Sequence, residues 1–248
     1  VKLAIRILVI GSVAGGLLWT SHHVLAQKLL DDGSTTVSRR PPTDDEKRFT
    51  AEFAKRYPDR KKIKLSEFMP ESRDFGIGLG GHGDFVDMGE TREQIIDRIV
   101  NKLTCKSDLV LIGRPSTKAA HLSADESFIY TEYKLRVDDF VLSANSKLAA
   151  GDSIKLAWPG GKIRLDDRTI EAIDFGYPQL STDVSYLLFL SEVPEAKGYL
   201  PAGFEGAYEI TNDSMKPHSP GEIAKGGGLN KENFVTKIQS AARMCRRN

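Results

Sequence analysis

The period of the hydrophobic positions changes part-way along this chain. From 91 to 104, Ile95, Ile96, Ile99, Val100 and Leu103 fall on one helical face, and Thr91 with Gln94 forms a capping box at its start. Upstream, Thr43 and Glu46 form another such box ahead of Phe49, Phe53 and Tyr57, which recur four apart until Pro58 ends the run. From Asp108 onward the period is two. "DLVLIG" (Asp108–Gly113) predicts a first strong strand. "SFIYTEYKLRV" predicts a long half-buried strand, with Ile129, Thr131, Tyr133, Leu135 and Val137 on one face and Phe128, Tyr130, Glu132, Lys134 and Arg136 on the other. "GDSIKLAW" follows with Ile154, Leu156 and Trp158, then a turn at Pro159-Gly160-Gly161, a returning strand "KIRL", a turn at Asp166-Asp167 and "RTIEAI". "YLLFLSEV" (Tyr186–Val193) predicts a central strand, and "GAYEI" (Gly206–Ile210) a short last one. Residues 212–230 predict a loop. Asn230 then caps a final helix with Phe234, Ile238, Ala241 and Cys245 on its buried face.

"FGIGLGGHGDF" (Phe75–Phe85) contains G-x-G-x-x-G twice. A dinucleotide fingerprint needs a buried strand before its first glycine and a helix starting at its last. Here "FMPESRD" precedes the glycines and "DFVDMGE" follows them, which argues against nucleotide binding, and a loop is expected. Residues 27–42 are polar and aperiodic and predict a mobile leader. Both 27–42 and 76–90 are expected to be poorly ordered.

The start of the chain has the layout of a secretory signal peptide. Lys2 and Arg6 precede the apolar run Ile7–Trp19, and Val24-Leu25-Ala26 fits the small-x-small cleavage rule. The run is shorter than the about 20 apolar residues of a bilayer span; a retained anchor is the alternative. The expected division is 1–26 signal peptide, 27–90 leader, short helix and Gly-rich loop, and 91–248 helix, β-domain and C-terminal helix. An exported protein, periplasmic or extracellular, follows. Lys and Arg number 35 against 34 Asp and Glu. Loss of Lys2 and Arg6 leaves the remainder near neutrality, without the basic excess of nucleic-acid binders. Cys105 and Cys245 are too far apart for a zinc motif. In an oxidising compartment the pair reads as a disulfide, with reactive thiol chemistry as the alternative.

Five to seven short strands with a closing helix predict a mainly β fold with flanking helices: a small barrel packed by an N-terminal and a C-terminal amphipathic helix. The order "DLVLIG", "YTEYKLRVDDFVL", "GDSIKL", "PGGKIRL", "PQLSTDVSYLLFL", "GAYEI" resembles a domain of exported, uncharacterised bacterial proteins. That domain is similar in shape to the OB-like barrel of tissue inhibitors of metalloproteases and netrin modules. The resemblance covers about Cys105–Thr211. Those inhibitors reach the protease metal through a cysteine at a free N-terminus. Cys105 lies deep inside this chain, so that mechanism is not carried over. An OB barrel that binds oligonucleotides stacks bases on exposed aromatics. Tyr130 and Trp158 are the candidate exposed aromatics for binding, although the charge argues against nucleic acid.

Catalytic patterns are sparse. His82, His121 and His218 lack metal-ligand spacing, and no G-x-S-x-G elbow occurs. The pairs Asp138-Asp139 and Asp166-Asp167 suit strand and turn positions better than acid–base work. No cofactor or metal is expected. The reading is an exported non-enzymatic binding or scaffold module, with another exported protein or a cell-envelope component as partner and no membrane span after signal cleavage. The alternative is an exported hydrolase whose site assembles from His82 or His121 with nearby acids.

Overall fold

Two β-sheets and three helices make up this computed structural model, which describes residues 33–37, 40–56, 65, 74–79 (backbone), 89–143, 147–166, 168–220 and 227–245. In chain order the elements are β1 (Thr35–Thr36), α1 (Asp44–Arg56), β2 (Asp74–Leu79), α2 (Arg92–Lys106), β3 (Leu109–Leu122), β4 (Ile129–Ser143) and β5 (Ser153–Pro159). They continue as β6 (Gly161–Leu165), β7 (Arg168–Asp174), β8 (Tyr186–Val193), β9 (Gly198–Pro201), β10 (Ala207–Thr211), β11 (Ser214–Pro217), β12 (Leu229–Asn230) and α3 (Lys231–Cys245). The expected signal peptide and cleavage site lie outside the described residues.

The larger sheet runs β12-β11-β10-β8-β3-β4-β5-β9, and β9 also pairs with β8. Five strands therefore return on themselves, β8-β3-β4-β5-β9-β8, and the sheet is partly ring-like. Alternate side chains of β3 and β8 enter two separate clusters, as the period of two requires. Leu109, Leu111, Leu188 and Leu190 join Tyr133, Leu156 and Trp158 on one side. Val110, Ile112, Leu187 and Phe189 join the apolar stripes of α2 and α3 on the other. Burial on both faces explains why "YLLFL" lacks polar alternation.

Both capping boxes form. Thr91 Oγ1 accepts from the Gln94 amide while the Gln94 side chain accepts from the Thr91 amide, and Thr43 with Glu46 does the same for α1. The Asn230 side chain accepts from the Asn233 amide at the start of α3. Cys105 and Cys245 are paired as a disulfide with Cα atoms 5.3 Å apart. Cys105 is exposed and Cys245 half-buried, so the bridge lies at the surface rather than on a buried helical face.

Several expectations are corrected. Pro159-Gly160-Gly161 does not turn a hairpin: β5 pairs with β4 and β9, whereas β6 belongs to the smaller sheet, β1-β6-β7-β2. Gly160 and Gly161 both have positive φ, 82° and 143°, which lets the chain leave one sheet for the other. Within the expected mobile leader, Thr35–Thr36 pairs parallel with β6, and Ser34 and Thr35 are buried. Within the expected glycine loop, Asp74–Leu79 pairs parallel with β7. β10 is not the last strand, because β11 and β12 follow it within the expected loop 212–230.

Candidate functional site

Neither predicted aromatic is exposed. Trp158 is buried in the cluster that holds Leu109, Tyr133 and Leu156, and donates its indole N–H to the carbonyls of Pro178 (3.0 Å) and Tyr177 (3.3 Å). Tyr130 points to the opposite face, as alternation along β4 requires, but α1 lies over it. Phe49 and Phe53, one turn apart on α1, enter a cluster with Phe128, Tyr130, Ala157, Val193, Ala196 and Leu200. The outer face of β4–β5 is therefore an apolar surface with a helix seated on it.

Polar contacts surround that surface. Lys155 of β5 binds Asp45 at 2.8 Å, the Ala124 amide donates to Thr50 Oγ1 at 2.8 Å, and Arg56 donates to the Pro201 carbonyl at 2.8 Å. Arg48 donates to the carbonyl of Glu195, in the short 3₁₀ turn Pro194–Ala196. At the N-terminal end of α1, Arg40 grips both oxygens of Glu46 at 2.8 and 2.7 Å, and His121 Nδ1 lies 3.4 Å from the same carboxylate. The His121 ring stacks on Tyr130, with centroids 5.2 Å apart.

The alternative catalytic reading asked for a histidine beside an acid, and His121 with Glu46 is such a pair. His82 lies outside the described residues. Glu46 is heavily committed, however, since it also accepts from the Thr43 amide at 2.6 Å. A carboxylate so engaged acts as a clasp between α1 and β3. Burial pushes its carboxyl up, but hydrogen bonds from His121, Arg40 and the Thr43 amide outweigh burial and hold it well below the usual carboxylate range. A lowered folded-state pKa gives stability that is complete above the unfolded carboxyl value of about 4.3 and is lost as pH falls below it. Acidification is therefore expected to weaken amide protection in α1 before that of β8. Glu46→Gln should loosen α1 by about 1–3 kcal/mol at neutral pH and flatten this acid dependence. An unchanged acid profile in the variant would count against the clasp.

The Tyr130 hydroxyl is buried with no hydrogen-bond partner among the described residues. Burial pushes its phenol up, so it stays protonated. An unsatisfied buried donor costs about 1–3 kcal/mol. Tyr130→Phe is accordingly expected to be neutral or stabilising in a thermal melt, whereas a clear loss would reveal a bond made by that hydroxyl.

The remaining candidates that are described make contacts within the fold. Asp138 accepts from Arg114 and Arg136, at 2.8 and 3.2 Å. Asp166, directly after β6, has φ 47°, and Asp167 lies outside the described residues. His218 Nε2 lies 3.1 Å from the Pro178 carbonyl and its ring meets Tyr186 edge-on. No three His, Cys, Asp or Glu among the described residues are grouped to hold a metal. A cleft of about 410 Å³ lies where the two sheets meet, with Thr35, Thr131, Gly161, Tyr177 and Gln179 in its walls. Its polar groups are largely engaged within the fold: the Ala120 amide donates to Thr35, Thr131 to the Gly160 carbonyl, and Gln179 to the Pro159 carbonyl.

The chain matches no protein-family model and no curated protein. Sequence patterning identified the stripe on α1 but not the surface it covers. The one available signal was the Thr43–Glu46 box, which placed an acid at the helix start without revealing Arg40 or His121 as its partners.

Proposed function

We propose that this chain is an exported, non-enzymatic binding or scaffold module built on a small OB-like β-barrel. The observation that carries the reading is the ring of pairings. Numbered along the chain, β3, β4, β5, β8 and β9 run first-second-third-fifth-fourth, with the third and fifth parallel and the other neighbours antiparallel. That is the strand order of a five-stranded OB barrel. The helices α2 and α3, joined by the disulfide, pack their apolar stripes with one face of β3 and β8, which supports the expectation of helices flanking a β-domain. Export is supported by the disulfide, which persists in oxidising compartments. Among the described residues no helix is long and apolar enough to cross a membrane. The interior of the ring is filled by Tyr133, Trp158 and Tyr186, so a partner would bind outside it. The partner class proposed is another exported protein or a cell-envelope component.

The hydrolase reading keeps one specific observation, the His121–Glu46 contact. Assaying the purified protein and His121→Ala against ester, peptide and glycoside substrates separates the two. The binding reading expects no turnover that depends on His121. Turnover abolished in a folded His121→Ala protein would overturn it.

A further inference from the structure

OB barrels bind on the face of their second and third strands, between the loop joining strands one and two and the loop joining strands four and five. In this chain those are β4, β5, the connection around Ser123–Phe128 and the 3₁₀ turn Pro194–Ala196. All four contribute to the surface under α1: Tyr130 from β4, Ala157 from β5, Phe128 from the first connection and Ala196 from the turn. The binding face of such a barrel is already occupied, and its occupant is a segment of the same chain.

We propose that this face is a helix-binding groove, that α1 is its ligand in cis, and that it fits a partner's amphipathic helix of the same pattern. That pattern is an acid in the first turn followed by two aromatic side chains four apart. The proposal rests on the OB-like reading above. Three observations carry it further. First, α1 meets the groove as a peptide ligand would: of its thirteen residues only Glu46, Phe49, Thr50 and Phe53 are buried. A helix this short is marginal in water by itself, so the groove supports its helicity. Second, the rim supplies complementary groups at both levels of the helix. Lys155 meets the first-turn acid Asp45, and the Ala124 amide meets the hydroxyl of Thr50. Third, the fit of α1 is incomplete. Tyr130, touched by Phe49 and Phe53 at centroid distances of 6.1 and 5.8 Å, keeps a buried hydroxyl that α1 does not satisfy. A partner helix that brings an acceptor to that hydroxyl would bind better than α1 and displace it.

The test is fluorescence anisotropy with a labelled synthetic peptide of residues 40–56. It is added to the full chain and to the full chain carrying Phe49→Asp and Phe53→Asp, which undocks α1. The undocked chain is expected to bind the peptide at least about tenfold more tightly than the wild type, because occupancy in cis lowers apparent affinity by the fraction of open groove. A peptide with both phenylalanines changed to alanine should bind neither chain. An undocked chain that melts cooperatively, retains its disulfide and binds no more tightly than the wild type would overturn the proposal. Should the double variant not fold, amide exchange of the wild type decides. Exchange of α1 through openings smaller than global unfolding supports a displaceable ligand, and exchange only through global unfolding overturns it. Backbone NOEs between Leu156 and Tyr199 test the barrel separately. Their absence defeats the barrel reading, and their presence beside a negative peptide result defeats the groove alone.

Discussion

Cys245→Ala is expected to lower the melting temperature by roughly 5–15 °C, to about that of the reduced wild-type protein. The bridge joins residues 140 apart in sequence. In the chain-entropy account, closing so long a loop restricts the unfolded chain by at most about 5 kcal/mol. Native geometry does not oppose the link, because Cα atoms at 5.3 Å lie within the ordinary range for a bridge. The helices it joins also hold together without it. Lys237 of α3 pairs with Asp97 and Glu93 of α2 at 2.5 and 2.6 Å, and their apolar stripes share a cluster with β3 and β8. The variant should therefore fold and melt cooperatively at a lower temperature. Thiol titration of unfolded, unreduced wild type should find no free thiol. Two thiols per chain would remove the basis of this expectation.

The second large effect is expected at Gly161, where the chain passes from one sheet to the other. A Cβ there would lie 2.4 Å from Thr131 Oγ1 and 3.2 Å from Ala120 Cβ, on a backbone whose φ of 143° disfavours any side chain. Gly161→Ala should cost about 3 kcal/mol or more, since strain and overpacking act together. Thr131 is buried and its hydroxyl donates to the Gly160 carbonyl at 2.9 Å, so it has little room to move aside. Adding Thr131→Ala should recover part of the loss, giving a coupling of opposite sign to the single effects. A Gly161→Ala protein as stable as the wild type by urea denaturation would mean that the corner is built differently.

Legibility in the sequence followed how far each element's partners lay from it. The limits of β8 were readable at Tyr186–Val193 because burial on both faces leaves an unbroken apolar run. The start of α2 was readable because its capping box is local. The outer half of β3, Arg114–Leu122, was not, because "RPSTKAAHL" is polar where that half of the strand is exposed. Likewise "DFGIGL" gains its strand only from β7, and its glycines point locally to a loop. Tyr130 illustrates the same limit at the candidate site. Alternation put it on the face of β4 opposite Tyr133, as found, but α1, which buries it, comes from a distant part of the chain. Trp158 failed in the opposite sense: it was on the interior face with Ile154 and Leu156 from the outset.

The parallel pairing of β1 with β6 and of β2 with β7 also dictates an order of assembly. Thr35 must wait for Ile163, and Asp74 for Thr169. As the chain elongates from its N-terminus, β1 and β2 are made long before the hairpin that receives them. Contacts of such sequence separation slow folding, because loop closure precedes any gain from pairing. The β6–β7 hairpin, joined by a tight turn, can form as soon as it is made and then serves as the template. Cys105 has to wait longer still, for a partner in the final helix. Of the described strands, β1 and β2 are made first and are expected to be among the last fixed in place.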